Sequence, residues 1–157
     1  MRRTHLKLFL LLTVTLLVSA CSRQSIYENA IGWERSSAGL EAAQVTVGDL
    51  DIAYLRSEEP VDGDTLVLIH GRGSDHHTWS GFALAFSTYR LITVDLAGHG
   101  LADAPGGEEH YTIEAQARDV WETLEQIPKP LALMGHSMGG MVALHMALEK
   151  PEFVNNL

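Results

Sequence analysis

Leu131-Ala132-Leu133-Met134-Gly135-His136-Ser137-Met138-Gly139-Gly140 is the stretch that decides the fold. Leu131 to Met134 is a continuous apolar run, as expected of a short strand buried on both faces. Gly135 to Gly139 is a glycine-framed turn. Met141 to Lys150 then reads as a helix stopped by Pro151. Strand, cramped turn and helix therefore follow one another directly. Glycines two residues before and two after Ser137 remove side chains where the backbone doubles back. The serine at the tip is expected in a strained conformation, its Oγ projecting beyond the end of the sheet.

Outward from this point the same alternation repeats. Leu66–Ile69 and Leu91–Val94 are two more apolar runs of buried-strand type. Thr78–Phe86 can form a short helix. Thr112 can cap a helix running to Ile127, with Glu114 in its first turn. Ile113, Ala117, Val120, Trp121, Leu124 and Ile127 fall on one stripe of it, and Pro128 and Pro130 stop it. Val45 and Val47, then Leu50, Ile52 and Tyr54, alternate around Gly48-Asp49 and read as a β-hairpin. Residues 56–64 and 96–110 are loops. Buried strands alternating with helices give βαβ units and a mostly parallel, doubly wound α/β sheet with helices on both faces. Ligands then bind beyond the carboxyl ends of the strands. The unusual polar residues lie at those ends: His70-Gly71-Arg72-Gly73, Asp95–Gly100 and Gly135–Gly140.

Gly135-His136-Ser137-Met138-Gly139 matches G-x-S-x-G in the strand–turn–helix context that makes it a nucleophile elbow. Ser137 is the candidate nucleophile. The Met138 N–H, at the helix N-terminus, is one candidate donor to an oxyanion. The second is the Arg72 N–H, in a loop whose Gly71 and Gly73 permit close approach of the backbone. The competing reading is a glycine-rich turn with a passive serine. The Arg72 side chain reads as a solvated surface arginine. His76-His77 reads as part of a surface helix, because adjacent residues rarely ligate one ion and no H-E-x-x-H spacing is present. No metal and no cofactor are expected.

H-G-x-G at 70–73, Trp79, D-x-x-G-H-G at 95–100 and G-H-S-M-G-G at 135–140 together resemble the α/β-hydrolase superfamily, over about residues 44–157. The order and spacing resemble its lipase, esterase and epoxide-hydrolase-like members. The resemblance implies Ser137 as acyl nucleophile, and disfavours dehalogenase and epoxide hydrolase chemistry, which would carry Asp at 137. It implies that His70 and His99 are structural, that His136 buttresses a neighbouring loop, and that Asp95 organises its own glycine turn. Ala102 departs from the Ser often found two residues after G-H-G. The family's triad runs Ser, Asp or Glu, then His. Its acid and base stand after later strands, so the expectation is a C-terminally incomplete fold with about five of the family's eight strands, inactive alone. Its last strand would be an exposed apolar edge.

Composition sets the remaining bounds. The 157 residues are 46% apolar and 20% charged, as in a globular chain, with a formal net charge of −9. That charge argues against nucleic acid as a partner. Arg2, Arg3 and Lys7 precede an apolar run, Leu8–Val18, which is shorter than the ~20 residues of a membrane-spanning helix and fits an export signal over residues 1–20. Val18-Ser19-Ala20-Cys21 resembles a bacterial lipobox, with the only cysteine at the lipidated position. Loss of residues 1–20 takes the net charge to −12, so acyl chains and not a basic patch would hold the chain on a membrane. Residues 21–43 read as a linker with a short helix, and 44–157 as the hydrolase-like domain. The expected function is a lipid-anchored serine hydrolase of the cell envelope, cleaving a small-molecule carboxylic ester. The alternative is a non-catalytic envelope lipoprotein with a hydrolase-like half-domain. Neither substrate nor oligomeric state is legible.

Overall fold

The structure, a computed structural model, describes residues 30, 32–33, 35–57, 63–125, 127 and 130–157. The expected signal peptide and Cys21 lie outside the described residues. Arg35–Leu157 forms a compact unit of its own.

Six strands form one sheet: β1 (Leu40–Val47), β2 (Leu50–Ser57), β3 (Thr65–Ile69), β4 (Arg90–Val94), β5 (Leu131–Gly135) and β6 (Val154–Asn156), in the order β1-β2-β4-β3-β5-β6. β1 and β2 make the expected hairpin, and β2 is antiparallel to β4. The strands from β4 to β6 are parallel. The hairpin begins at Leu40, earlier than the alternation from Val45 suggests. Leu40 itself is buried, but Glu41 to Gln44 carry too little apolar contrast to announce a strand.

Side-chain alternation along the central strands builds two cores, because successive residues of a strand face opposite sides. Val67 and Ile69 of β3, with Ile92, Val94, Leu131 and Leu133, pack against two helices on one face. These are α1 (Ile113–Thr123) and α2 (Met138–Glu149). Ala117, Val120, Trp121 and Leu124 of the expected stripe are buried there, with Ile113 and Ile127 at its margin. Leu66, Leu68, Leu91 and Ala132 face the other side, against Trp79, Ala83 and Phe86. Those three belong to a 3₁₀ stretch, His76–Phe86, where a short helix was expected from Thr78. Helical segments thus cover both faces.

Two expectations need correction. The strands among the described residues number six, not the expected five. β6 is missed by its sequence, since Val154-Asn155-Asn156 offers one apolar residue and no periodicity. It pairs only with Leu131 and Ala132, so the edge of β5 is half covered and the outermost strand is polar, not apolar. α2 begins at Met138, three residues before the expected Met141, because Gly139 and Gly140 adopt helical backbone.

The register brings the chemistry together. Ile69 lies opposite Val94 on one side and Gly135 on the other. The three parallel strands therefore end level, and the loops after them open at one edge of the sheet.

Candidate active site

Ser137 stands at the tip between β5 and α2 with φ 55° and ψ −118°. It is the only non-glycine residue with positive φ among the described residues. Such a conformation costs on the order of 1–3 kcal/mol and persists only where its surroundings enforce it. They do so by close approach. A Cβ on Gly135 would lie 2.2 Å from the Gly139 carbonyl oxygen, and one on Gly139 would lie 2.3 Å from the oxygen of Ile69. The His136 N–H donates to that same Ile69 oxygen at 3.0 Å, which ties the elbow to the end of β3. The Ser137 side chain is exposed and has no hydrogen-bond partner among the described residues.

The loop after β3 lies against the serine. A Cβ on Gly71 would sit 3.2 Å from the Ser137 Cβ and 3.0 Å from His136 Nδ1. His136 therefore buttresses this loop. Gly71, Arg72, Gly73 and Ser74 form a turn closed by the Ser74 N–H on the Gly71 oxygen at 3.2 Å. Gly73 holds φ +75° at its third position, as a type II turn requires. The Arg72 side chain is exposed. Neither the Arg72 nor the Met138 N–H has an acceptor among the described residues. Both belong to the two loops that meet at Ser137.

Behind these two loops sits a buried polar network. Asp95, fully buried at the end of β4, accepts three N–H donors. The His76 N–H reaches Oδ1 at 2.7 Å, and His76 Nδ1 and the Leu101 N–H reach Oδ2 at 2.6 and 2.9 Å. Burial pushes the carboxyl upward, but the His76 hydrogen bond and the backbone donors outweigh it and hold Asp95 below the usual carboxylate range. Asp95 thus organises its own glycine turn, and a Cβ on Gly100 would collide with it. His70 is buried as well, and burial holds its imidazole below the ordinary value. His99 packs its ring 5.2 Å from that of His70. Ala102, where a serine was expected from resemblance, packs at the margin of the main core.

His76 is a correction. It was expected on a surface helix, yet it is 2% exposed and holds Asp95. The signal was present, since His76, Ser80 and Ala83 recur at helical spacing and form the buried face of the segment. Gln116 was also missed. It is buried among the apolar stripe of α1, and its amide bonds both the N–H and the oxygen of Ala97, at 3.1 and 3.3 Å. It anchors the loop after β4. A hollow of about 160 Å³ lies far from these groups, between Arg118, Trp121, Glu122, Glu149 and Lys150 at the other end of α2.

A family model described as the alpha/beta hydrolase fold matches residues 64–157. The chain belongs to the α/β-hydrolase fold family. The chain is 34% identical over 121 residues to the magnesium-chelatase 30 kDa subunit of Rhodobacter capsulatus, covering 76% of itself and 41% of that protein. To protein phosphatase methylesterase 1 of Bos taurus it is 36% identical over 93 residues, covering 55% of itself and 24% of the relative. Among solved structures, a membrane phospholipase A described as a bacterial virulence factor superposes with a TM-score of 0.80 at 35% identity, over 98% of this chain and 50% of that one. This α/β-hydrolase chain therefore spans half or less of the length of these relatives.

Proposed function

We propose that this chain carries the nucleophile and the oxyanion donors of a serine hydrolase acting on carboxylic esters. The observation that carries the reading is the backbone at Ser137, a strained and exposed serine beside two unpaired N–H groups. In this reading Ser137 Oγ attacks the ester carbonyl, and the Met138 and Arg72 N–H groups receive the oxyanion. The alcohol leaves with a proton and the acyl group stays on Oγ. Water then attacks the acyl-enzyme, releases the carboxylic acid and restores the serine. A serine hydroxyl is a weak nucleophile at neutral pH and needs a general base. We place that base, with its carboxylate partner, in the part of the relatives' length that this chain does not span.

The likeness to a membrane phospholipase A supports a lipid ester as substrate. Gly71, Gly73, Gly135 and Gly139 serve by allowing the loops to meet. The Leu8–Val18 run and Cys21 support an envelope location, with acyl chains on Cys21 as the membrane anchor. The test is labelling with a fluorophosphonate probe of the protein expressed from its complete reading frame. The wild type labels, and Ser137→Ala does not. An unlabelled wild type defeats the reading in favour of a non-catalytic envelope protein.

A further inference from the structure

We infer that Trp33 is a membrane contact of this chain, its indole seated among the headgroups of a lipid bilayer close to the acylated N-terminus. The inference rests on the reading of Cys21 as a lipid anchor. The chain holds three tryptophans. Trp121 is buried in the main core, and Trp79 packs on the second one. Trp33 is 74% exposed. An indole is a large apolar body with a single N–H donor at its edge. Water suits the N–H and not the rings, whereas hydrocarbon suits the rings and leaves the N–H without a partner. The headgroup zone of a bilayer receives both, and tryptophan gathers at membrane interfaces for that reason.

Position in the chain brings the bilayer within reach. Only residues 22–32 separate Trp33 from Cys21, a span of about 40 Å even when fully extended. Ala30, Gly32 and Trp33 are helical, and a helical path is shorter still, at about 1.5 Å per residue. With acyl chains on Cys21, Trp33 stays near the surface. Its own insertion is then an intramolecular step that needs little intrinsic affinity. Charge agrees. Residues 22–37 set Arg23 and Arg35 against Glu28 and Glu34, whereas the chain after residue 20 as a whole carries −12. Anionic headgroups repel that surplus, and the segment bearing Trp33 has no share in it. The contact is therefore apolar, so it should persist on zwitterionic phosphatidylcholine and in high salt. The acyl chains hold the protein on the membrane, and Trp33 fixes the depth of the segment that precedes β1.

The experiment uses the protein from the complete reading frame, purified from membranes and reconstituted on phosphatidylcholine vesicles. The lipid chains are unbrominated, brominated near the headgroup or brominated near the chain end. Bromine quenches tryptophan emission only at close approach. Wild type is compared with Trp33→Phe, so the difference isolates Trp33, and the exposure of the side chain spares the fold. Mass spectrometry of the N-terminal peptide reports the acyl chains on Cys21. We expect both proteins to float with the vesicles. Wild-type emission should be quenched, more by bromine near the headgroup than by bromine near the chain end, and Trp33→Phe should lose most of that quenching. An acylated protein whose quenching is absent, or equal in Trp33→Phe, overturns the Trp33 contact while the anchor stands. Quenching strongest near the chain end overturns it as well. So does a Trp33 emission that shifts with protein concentration and ignores bromine, which would seat a second copy of the chain on the indole. A Cys21 without acyl chains overturns the anchor and the inference together.

Discussion

Ser137 is held where an L-residue loses energy. Its φ of 55° with ψ −118° is a glycine-like backbone, and the glycines around it are there for space and not for rotation. The strain belongs to the backbone, so removing the hydroxyl does not relieve it, whereas removing the Cβ does. Ser137→Gly should therefore be more stable than Ser137→Ala by about 1 kcal/mol, net of the entropy glycine adds to the unfolded chain. Thermal or urea unfolding of the two variants measures the difference. Equal stabilities, or a more stable Ala, would show that the bend is relaxed. The sequence made this residue legible, since two glycines at fixed offsets from a serine report a close approach. It could not reveal that the pressure on Gly139 comes from Ile69 and His70, distant in sequence.

The loops after β3, β4 and β5 form one unit because buried groups bind them to one another. His70 links the first two, and Asp95 links the second to the 3₁₀ stretch through His76. These groups set how the fold responds to acid. His70 and His77 are both held below the ordinary imidazole value of 6.5, chiefly by burial, with the neighbouring His76 also lowering His77. Asp95 is held below 3.8. For each of them the unfolded chain binds protons more readily than the folded one. Their contribution is complete above the unfolded value and is lost as pH falls toward the folded value. The melting temperature should thus hold at neutral pH, decline below about 6.5 and fall again below about 3.8. A melting temperature that is flat from neutral pH to about pH 4.5 would contradict the imidazole part. Apolar runs and stripes made β3, β4, β5 and both helices readable. The spacing of His76, Ser80 and Ala83 could announce a buried face, but not that His76 bonds Asp95 or that Gln116 bonds Ala97, because those partners follow from which element packs on which. β6 stayed hidden because a three-residue strand paired at two positions leaves no pattern in sequence.

At the scale of the molecule, six strands, two cores and three loops ending level at one edge make a platform with its polar chemistry on one side. The family likeness over residues 64–157 covers β3 to β6 and the three loops, but not the hairpin of β1 and β2. The proposed envelope location is a separate matter, since it rests on Cys21 and the run before it. Cells fed labelled palmitate should incorporate it into the wild type and not into Cys21→Ala, and incorporation that survives the substitution would remove the anchor. The claim on which the enzymatic account depends is a bond between an acyl carbon and one oxygen. It is tested most directly by rapid quenching of the protein from the complete reading frame during turnover of an activated ester, then mass spectrometry of its peptides. The peptide containing Ser137 should gain the mass of the acyl group, with none gained in Ser137→Ala. Ester turnover that persists in Ser137→Ala, or an acyl group found on another residue, would contradict it.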